Sequence, residues 1–128
     1  MLENLPIDLI EKIIDSLPVE ISFIDAEDTV RYYSKGDKRI FKRSPAVIGR
    51  KVQKCHPPKS VDKVVAILSD FKQNRRDVAE FWIHLGDLFV YIRYFAVRDK
   101  DGNYLGTLEV SQEISKIQTL KGEKRLLD

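Results

Sequence analysis

The apolar positions of this chain change their period along its length. In residues 1–17, Leu9, Ile10, Ile13, Ile14 and Leu17 recur at three- and four-residue spacing, the stripe of an amphipathic helix. Pro6 suits its first turn, Asp8 and Glu11 suit the positive end of its dipole, and Pro18 stops it. Val19 to Asp25 and Thr29 to Tyr33 are rich in β-branched and aromatic residues. The polar turn Asp25-Ala26-Glu27-Asp28 between them makes the pair a hairpin. Ser34 to Lys54 shows no period; Gly36, Pro45 and Gly49 punctuate it and predict short helical turns. After Pro57-Pro58 the helical period returns in Val61, Val64, Val65, Leu68 and Phe71, predicting a second helix with Ser60 as its cap and an end near Asn74. Val78 to Leu85, Leu88 to Val97 and Tyr104 to Ser111 are strand-length runs, joined by turns at Gly86-Asp87 and at Asp99-Lys100-Asp101-Gly102.

This order separates strands from helices instead of alternating them, which predicts an α+β fold. A five-stranded antiparallel sheet with helices on one face, plus an N-terminal amphipathic helix, satisfies it. The predicted division is a capping or dimerisation helix over 1–17, the main domain over 18–114, and a helical extension over 115–128 with Ile114, Ile117 and Leu120 on one side.

Strand side chains alternate between faces. If the Gly86-Asp87 turn pairs Ile83 with Val90, one face carries Phe81, Ile83, Val90, Ile92 and Tyr94, and the other carries Trp82, Phe89, Tyr91 and Phe95. A sheet with one wet face would alternate apolar with polar. The expectation is therefore a sheet covered on both sides, with the N-terminal helix packed over Trp82 and a homodimer formed through that helix, the outer face or both. The same parity turns Glu109 and Ser111 inward and Leu108 and Val110 outward. A carboxylate facing a core needs a partner. Glu109 either orients a polar ligand or sits at a cavity rim paired with a nearby Tyr, Lys or Arg.

Composition narrows the classes. The 128 residues suit one domain, with 43% apolar and 33% charged positions. The apolar runs fall short of the ~20 residues that span a bilayer, and Met1-Leu2-Glu3-Asn4 does not open a signal peptide. Cys55 is the single cysteine, so no intrachain disulfide forms and a cytoplasmic location is expected. The net charge of +2 conceals 11 Lys plus Arg against Asp37 and Asp62 between Arg31 and Lys63. That run is a solvated basic face or a surface for an anionic ligand or partner. It lacks the interleaved aromatics of a nucleic-acid platform, and neither nucleic acid nor membrane is expected as a partner.

Taken in order, Ile21-Ser22-Phe23-Ile24-Asp25, then Val47-Ile48-Gly49-Arg50-Lys51-Val52, then Phe95 to Gly106 with its Asp99-Lys100-Asp101-Gly102 turn, resemble a PAS domain over about Leu17 to Ile114. Cys55-His56-Pro57-Pro58-Lys59-Ser60 and Ala79-Glu80-Phe81-Trp82-Ile83 resemble, more narrowly, an uncharacterised prokaryotic family that joins a hemerythrin-like domain to a C-terminal PAS module. Leu126-Leu127-Asp128 would suit a piece cut from such a protein. Two positions depart from the PAS pattern. Ser34 and Lys35 stand where an Asn is common, and Val52 stands where the flavin-photochemical subgroup has its Cys, so cysteinyl–flavin chemistry is not expected.

The resemblance implies a sensory module that binds a small ligand or cofactor in a cavity between the long helix and the sheet. Its occupancy would pass through a dimer interface or an attached domain. Phe81, Ile83, Ile92, Tyr94 and Glu109 are the expected lining, with His56 at the edge. His56 is either a structural residue bonded to backbone at a helix start or, as in some PAS relatives with a helix histidine, a haem ligand in a gas or redox sensor. A dimerisation scaffold with a filled core is the remaining alternative. Cys55, His56 and His84 are too few for structural zinc. Cys55 and His56 are adjacent and so poorly disposed as a nucleophile and base. No phosphate loop, paired-carboxylate arrangement or Ser-His-Asp set is present, and no enzymatic activity is expected.

Overall fold

The computed structural model describes all 128 residues. The chain runs through α1 (Ile7–Asp15), β1 (Glu20–Asp25), β2 (Val30–Tyr33), 3-10 turns at Pro45–Val47 and Val52–Lys54, α2 (Pro58–Lys72), β3 (Val78–Leu85), β4 (Leu88–Arg98) and β5 (Tyr104–Glu113). The strands form one antiparallel sheet in the order β2-β1-β5-β4-β3. This is the α+β layout that the periodicity predicts.

The hairpins take the expected register. Ile83 lies opposite Val90 and Leu85 opposite Leu88, across a two-residue loop in which Gly86 has φ 60°. Glycine adopts that region without steric cost. In the next turn the Asp99 carboxylate accepts the N–H groups of Asp101 and Asn103, each at 2.9 Å. Where β5 pairs with β1 at Asp25, only a glycine fits. A Cβ on Gly106 would lie 2.4 Å from the Ile24 carbonyl oxygen and 2.6 Å from the Phe23 ring.

α2 lies on the inner face. Val64 and Leu68 pack with Ile24, Val30 and Val52, and Phe71 packs with Ala79, Val90, Ile92 and Tyr94. Burying each such side chain contributes about 1.5–3 kcal/mol. Arg98 fastens the end of the helix, donating through Nη2 to the Phe71 carbonyl at 2.8 Å and through Nε to Asp77 at 2.9 Å.

The aperiodic stretch after β2 is held by a buried ion pair. Arg39 Nη2 lies 3.1 Å from Glu20 Oε2, with side chains 2% and 3% exposed. Glu20 also accepts the backbone N–H groups of Ile40 (2.6 Å) and Phe41 (3.1 Å). Arg39 donates to the carbonyls of Phe41, Ile21 and Ser34 at 2.9–3.1 Å, and to Ser22 Oγ at 3.3 Å. Every polar atom of the pair thus meets a partner, as buried charge requires.

Several expectations are corrected. α1 buries no residue of its own and does not reach the aromatic patch around Trp82. The Asp15 carboxylate at its end accepts the Lys35 N–H at 2.8 Å, which docks the helix beside β2, whereas Trp82 belongs to β3 at the opposite edge. Trp82 is accordingly 60% exposed, not packed under the helix, and the outer face around it is left uncovered within one protomer. Tyr91 and Phe95 are half-buried, with the Arg93 guanidinium 4.7 Å and 5.7 Å from their ring centres. The extension over 115–128 is not a helix: only Ile117–Thr119 makes a 3-10 turn. With Leu120, Leu126 and Leu127 exposed, no packing offsets the cost of helix nucleation there. Ser60 does not cap α2. Pro57 holds that position, and the Ser60 hydroxyl donates back to the Pro57 carbonyl at 3.2 Å.

Candidate functional site

A cleft of about 710 Å3 opens between the first turns of α2 and the inner face of β3, β4 and β5. Phe81, Ile83, Ile92, Tyr94, Glu109 and His56, the residues selected from sequence, all line it. Strand alternation explains the first five. Phe81 and Ile83 are each 38% exposed at the mouth, Ile92 and Tyr94 are buried deeper, and Phe81 meets the Tyr94 ring edge-on at 5.7 Å. Tyr94 and Glu109 are cross-strand neighbours on β4 and β5. Val64 and Ile67 of α2 form the facing wall.

The polar groups gather at one end. The Glu109 side chain is 10% exposed and accepts no hydrogen bond within the chain; Arg43 Nη2 stands 3.7 Å from its Oε1. Arg43 is steered by its own backbone, donating to the Lys42 carbonyl at 3.2 Å. Burial pushes the Tyr94 phenol far above its ordinary range, and the nearby Glu109 charge adds to this, so the hydroxyl stays protonated at any physiological pH. That phenol likewise has no hydrogen-bond partner in the chain.

His56 Nδ1 lies 3.1 Å from the Val52 carbonyl. A carbonyl can only accept, so Nδ1 carries the proton of this contact, and Nε2 has no partner within the chain. Cys55 Sγ takes a different carbonyl, that of Lys51 at 3.6 Å, so the two side chains form no nucleophile–base pair. No group of three or more His, Cys, Asp or Glu side chains is placed to hold a metal ion.

Sequence reasoning missed Phe41, Arg43 and Lys63 in this lining. The first two lie in the aperiodic stretch, where no pattern signals which side chain turns inward. Lys63 immediately precedes Val64 of the inward-facing stripe of α2 and reads as a solvated residue. His84 stands where expected, on the outer face, stacked on Phe89 at 4.6 Å.

The sheet order, the single long helix across the inner face and the cleft between them define a PAS-type module. A family model described as PAS domain matches residues 10–115, and the chain belongs to the PAS domain family. Among solved structures it is similar to the C-terminal domain of a Streptococcus mutans protein, with 35% identity, a TM-score of 0.85 and 91% of each chain covered. It also shares its fold with the PAS domain of a Colwellia psychrerythraea protein (17% identity, TM-score 0.60, 85% of this chain and 97% of that one). A sensory box sensor histidine kinase from Vibrio cholerae matches as well (9% identity, TM-score 0.58, 84% and 90% covered). No curated protein matches the sequence. No helix is long and apolar enough to cross a membrane.

Proposed function

We propose that this chain is a cytoplasmic sensory module that binds a small molecule in the cleft and transmits occupancy through a homodimer or an attached domain, without catalysing a reaction. The observation that carries the reading is the polar end of the cleft. A nearly buried carboxylate and the phenol of a buried tyrosine face an apolar cleft without a hydrogen bond from the chain, which leaves both available to pair with a bound molecule. The volume is within the ~300–1,000 Å3 of small-molecule sites. The naming of the Vibrio cholerae neighbour as a sensor kinase supports the sensory part of the reading. The S. mutans relative is a C-terminal domain, which supports attachment to a preceding domain; under the narrower resemblance of the sequence that domain would be hemerythrin-like. Purified protein denatured and examined by mass spectrometry should release a stoichiometric small molecule, or a metabolite library should raise its thermal midpoint. A chain that releases nothing and responds to nothing is the ligand-free scaffold instead.

One observation favours a second reading, haem sensing through His56. His56 lines the cleft with Nδ1 donating to the Val52 carbonyl, the kind of outer-shell contact that orients ligating imidazoles. Titration with hemin should then give a Soret band that His56→Ala abolishes; no band ends this reading.

Transmission through a dimer rests on the outer face. Trp82, His84, Phe89, Tyr91 and Phe95 form an aromatic surface behind the cleft-lining residues of the same strands, so a shift of β3 or β4 reaches both.

A further inference from the structure

We infer that the ligand of this cleft is a neutral nitrogen heterocycle with a lactam-type edge, its N–H donated to Glu109 and its carbonyl accepting from Tyr94 and Arg43. This rests on the reading of the cleft as a ligand site and adds the class of molecule. Three observations lead to it.

The first is the complementarity of the polar end. Glu109 can only accept, Arg43 can only donate, and Tyr94 remains a protonated phenol. Tyr94 and Glu109 stand side by side across β4 and β5, so a donor and an acceptor on adjacent atoms of one ligand can meet both. The second is charge. The Glu109 and Arg43 side chains, 3.7 Å apart, balance each other. An anionic head drawn to Arg43 would be forced against Glu109, and a cationic head drawn to Glu109 would be forced against Arg43. Both ions would also leave their water shell for a polar end whose two charges already cancel; Lys63, the third charged residue of the lining, is exposed and screened by water. An uncharged group with both a donor and an acceptor meets no such penalty. The third is the wall. Phe41, Phe81, Ile67 and Ile92 offer an aromatic and aliphatic surface that suits a ring system. A ring also has fewer rotors to immobilise than a chain of equal size.

The test is calorimetric titration of the intact chain with pterin and xanthine as lactam probes, decanoate as the anionic probe and benzamidine as the cationic one. At least one lactam should bind, and Glu109→Gln and Tyr94→Phe should each weaken it about tenfold, as loss of one hydrogen bond in a buried site does. Ile83→Trp, which narrows the mouth and leaves the polar end untouched, should weaken it too and keeps the test valid if a polar variant unfolds. Tighter binding of decanoate or benzamidine, no binding of either lactam, or binding indifferent to Glu109→Gln overturns the inference. The ligand-site reading is judged apart from this, on the molecules released by denaturation.

Discussion

Deleting one partner of the Glu20–Arg39 pair should destabilise the domain more than any surface change. Both side chains are essentially sealed, at 3% and 2% exposure. Glu20→Ala removes the acceptor of the Ile40 and Phe41 N–H groups and leaves the guanidinium, whose burial lowers its affinity for its proton, without its carboxylate. Breaking such a pair costs about 3–5 kcal/mol, against a total of about 5–15 kcal/mol for a domain. With an unfolding entropy of about 2.1 cal/mol/K per residue, a chain of 128 residues loses about 4 °C per kcal/mol, so the midpoint falls by roughly 11–19 °C. The pair also fixes the loop that carries Phe41 and Arg43 into the cleft. Urea unfolding of Glu20→Ala, Arg39→Ala and the double variant closes a mutant cycle. The double variant should lose well under the sum of the two single losses, because it leaves no unpaired buried charge. Strict additivity, or a single loss below about 1 kcal/mol, would show the pair to be no more than a surface salt bridge and refute the reasoning.

Trp82→Glu should turn the proposed dimer into monomer, read by sedimentation equilibrium, while changing protomer stability by no more than about 0.5 kcal/mol because the indole is exposed. A wild-type chain that is monomeric at high concentration removes the outer face from the account. Gly106→Ala should cost about 1–3 kcal/mol in urea unfolding, since its methyl collides with the backbone at Ile24; an unchanged midpoint would contradict the close crossing. Asp99 and Glu113 titrate below the usual carboxyl range, Asp99 first through the Asn103 N–H and Glu113 first through the Ser115 hydroxyl. Folded values below unfolded ones mean stability that is present above about pH 4 and lost as pH falls through the folded values. The thermal midpoint should therefore be flat from about pH 7 to 5 and decline below about pH 4, less steeply in Asp99→Ala; a decline that this variant leaves unaltered would remove Asp99 as a cause.

What the sequence made legible was what period carries. Two-residue alternation on β3, β4 and β5, phased by the Gly86-Asp87 loop, was enough to turn Phe81, Ile83, Ile92, Tyr94 and Glu109 to one side, and all five line one cleft. The stripe of α1 was equally legible, but a stripe says only that a helix has an apolar face and not which surface receives it. Docking is decided by single contacts such as Asp15 with Lys35, which no periodicity announces. The aperiodic stretch hid more. Its arginines look alike in sequence, yet Arg39 is sealed under a loop, Arg43 reaches the cleft and Arg50 lies exposed. Their fates are set by a carboxylate on β1 and another on β5, far away in the chain.

That placement bears on how the cleft is made specific. The apolar walls come from regular elements, whose alternation would be kept by any Ile, Val or Phe of similar volume. The polar end is assembled differently. Glu109 and Tyr94 are held by strand register, while Arg43 arrives on a loop whose position depends on a buried ion pair anchored on the neighbouring strand β1. Loosening Glu20–Arg39 should therefore release the arginine that balances Glu109 before it disturbs the walls. Ligand selectivity would fail at a lower denaturant concentration than the fold itself, because loops open locally at a fraction of the global free energy. Lactam affinity and far-ultraviolet dichroism followed together in rising urea should show binding lost first in Arg39→Lys; coincident loss of both would place the loop and the sheet in one cooperative unit.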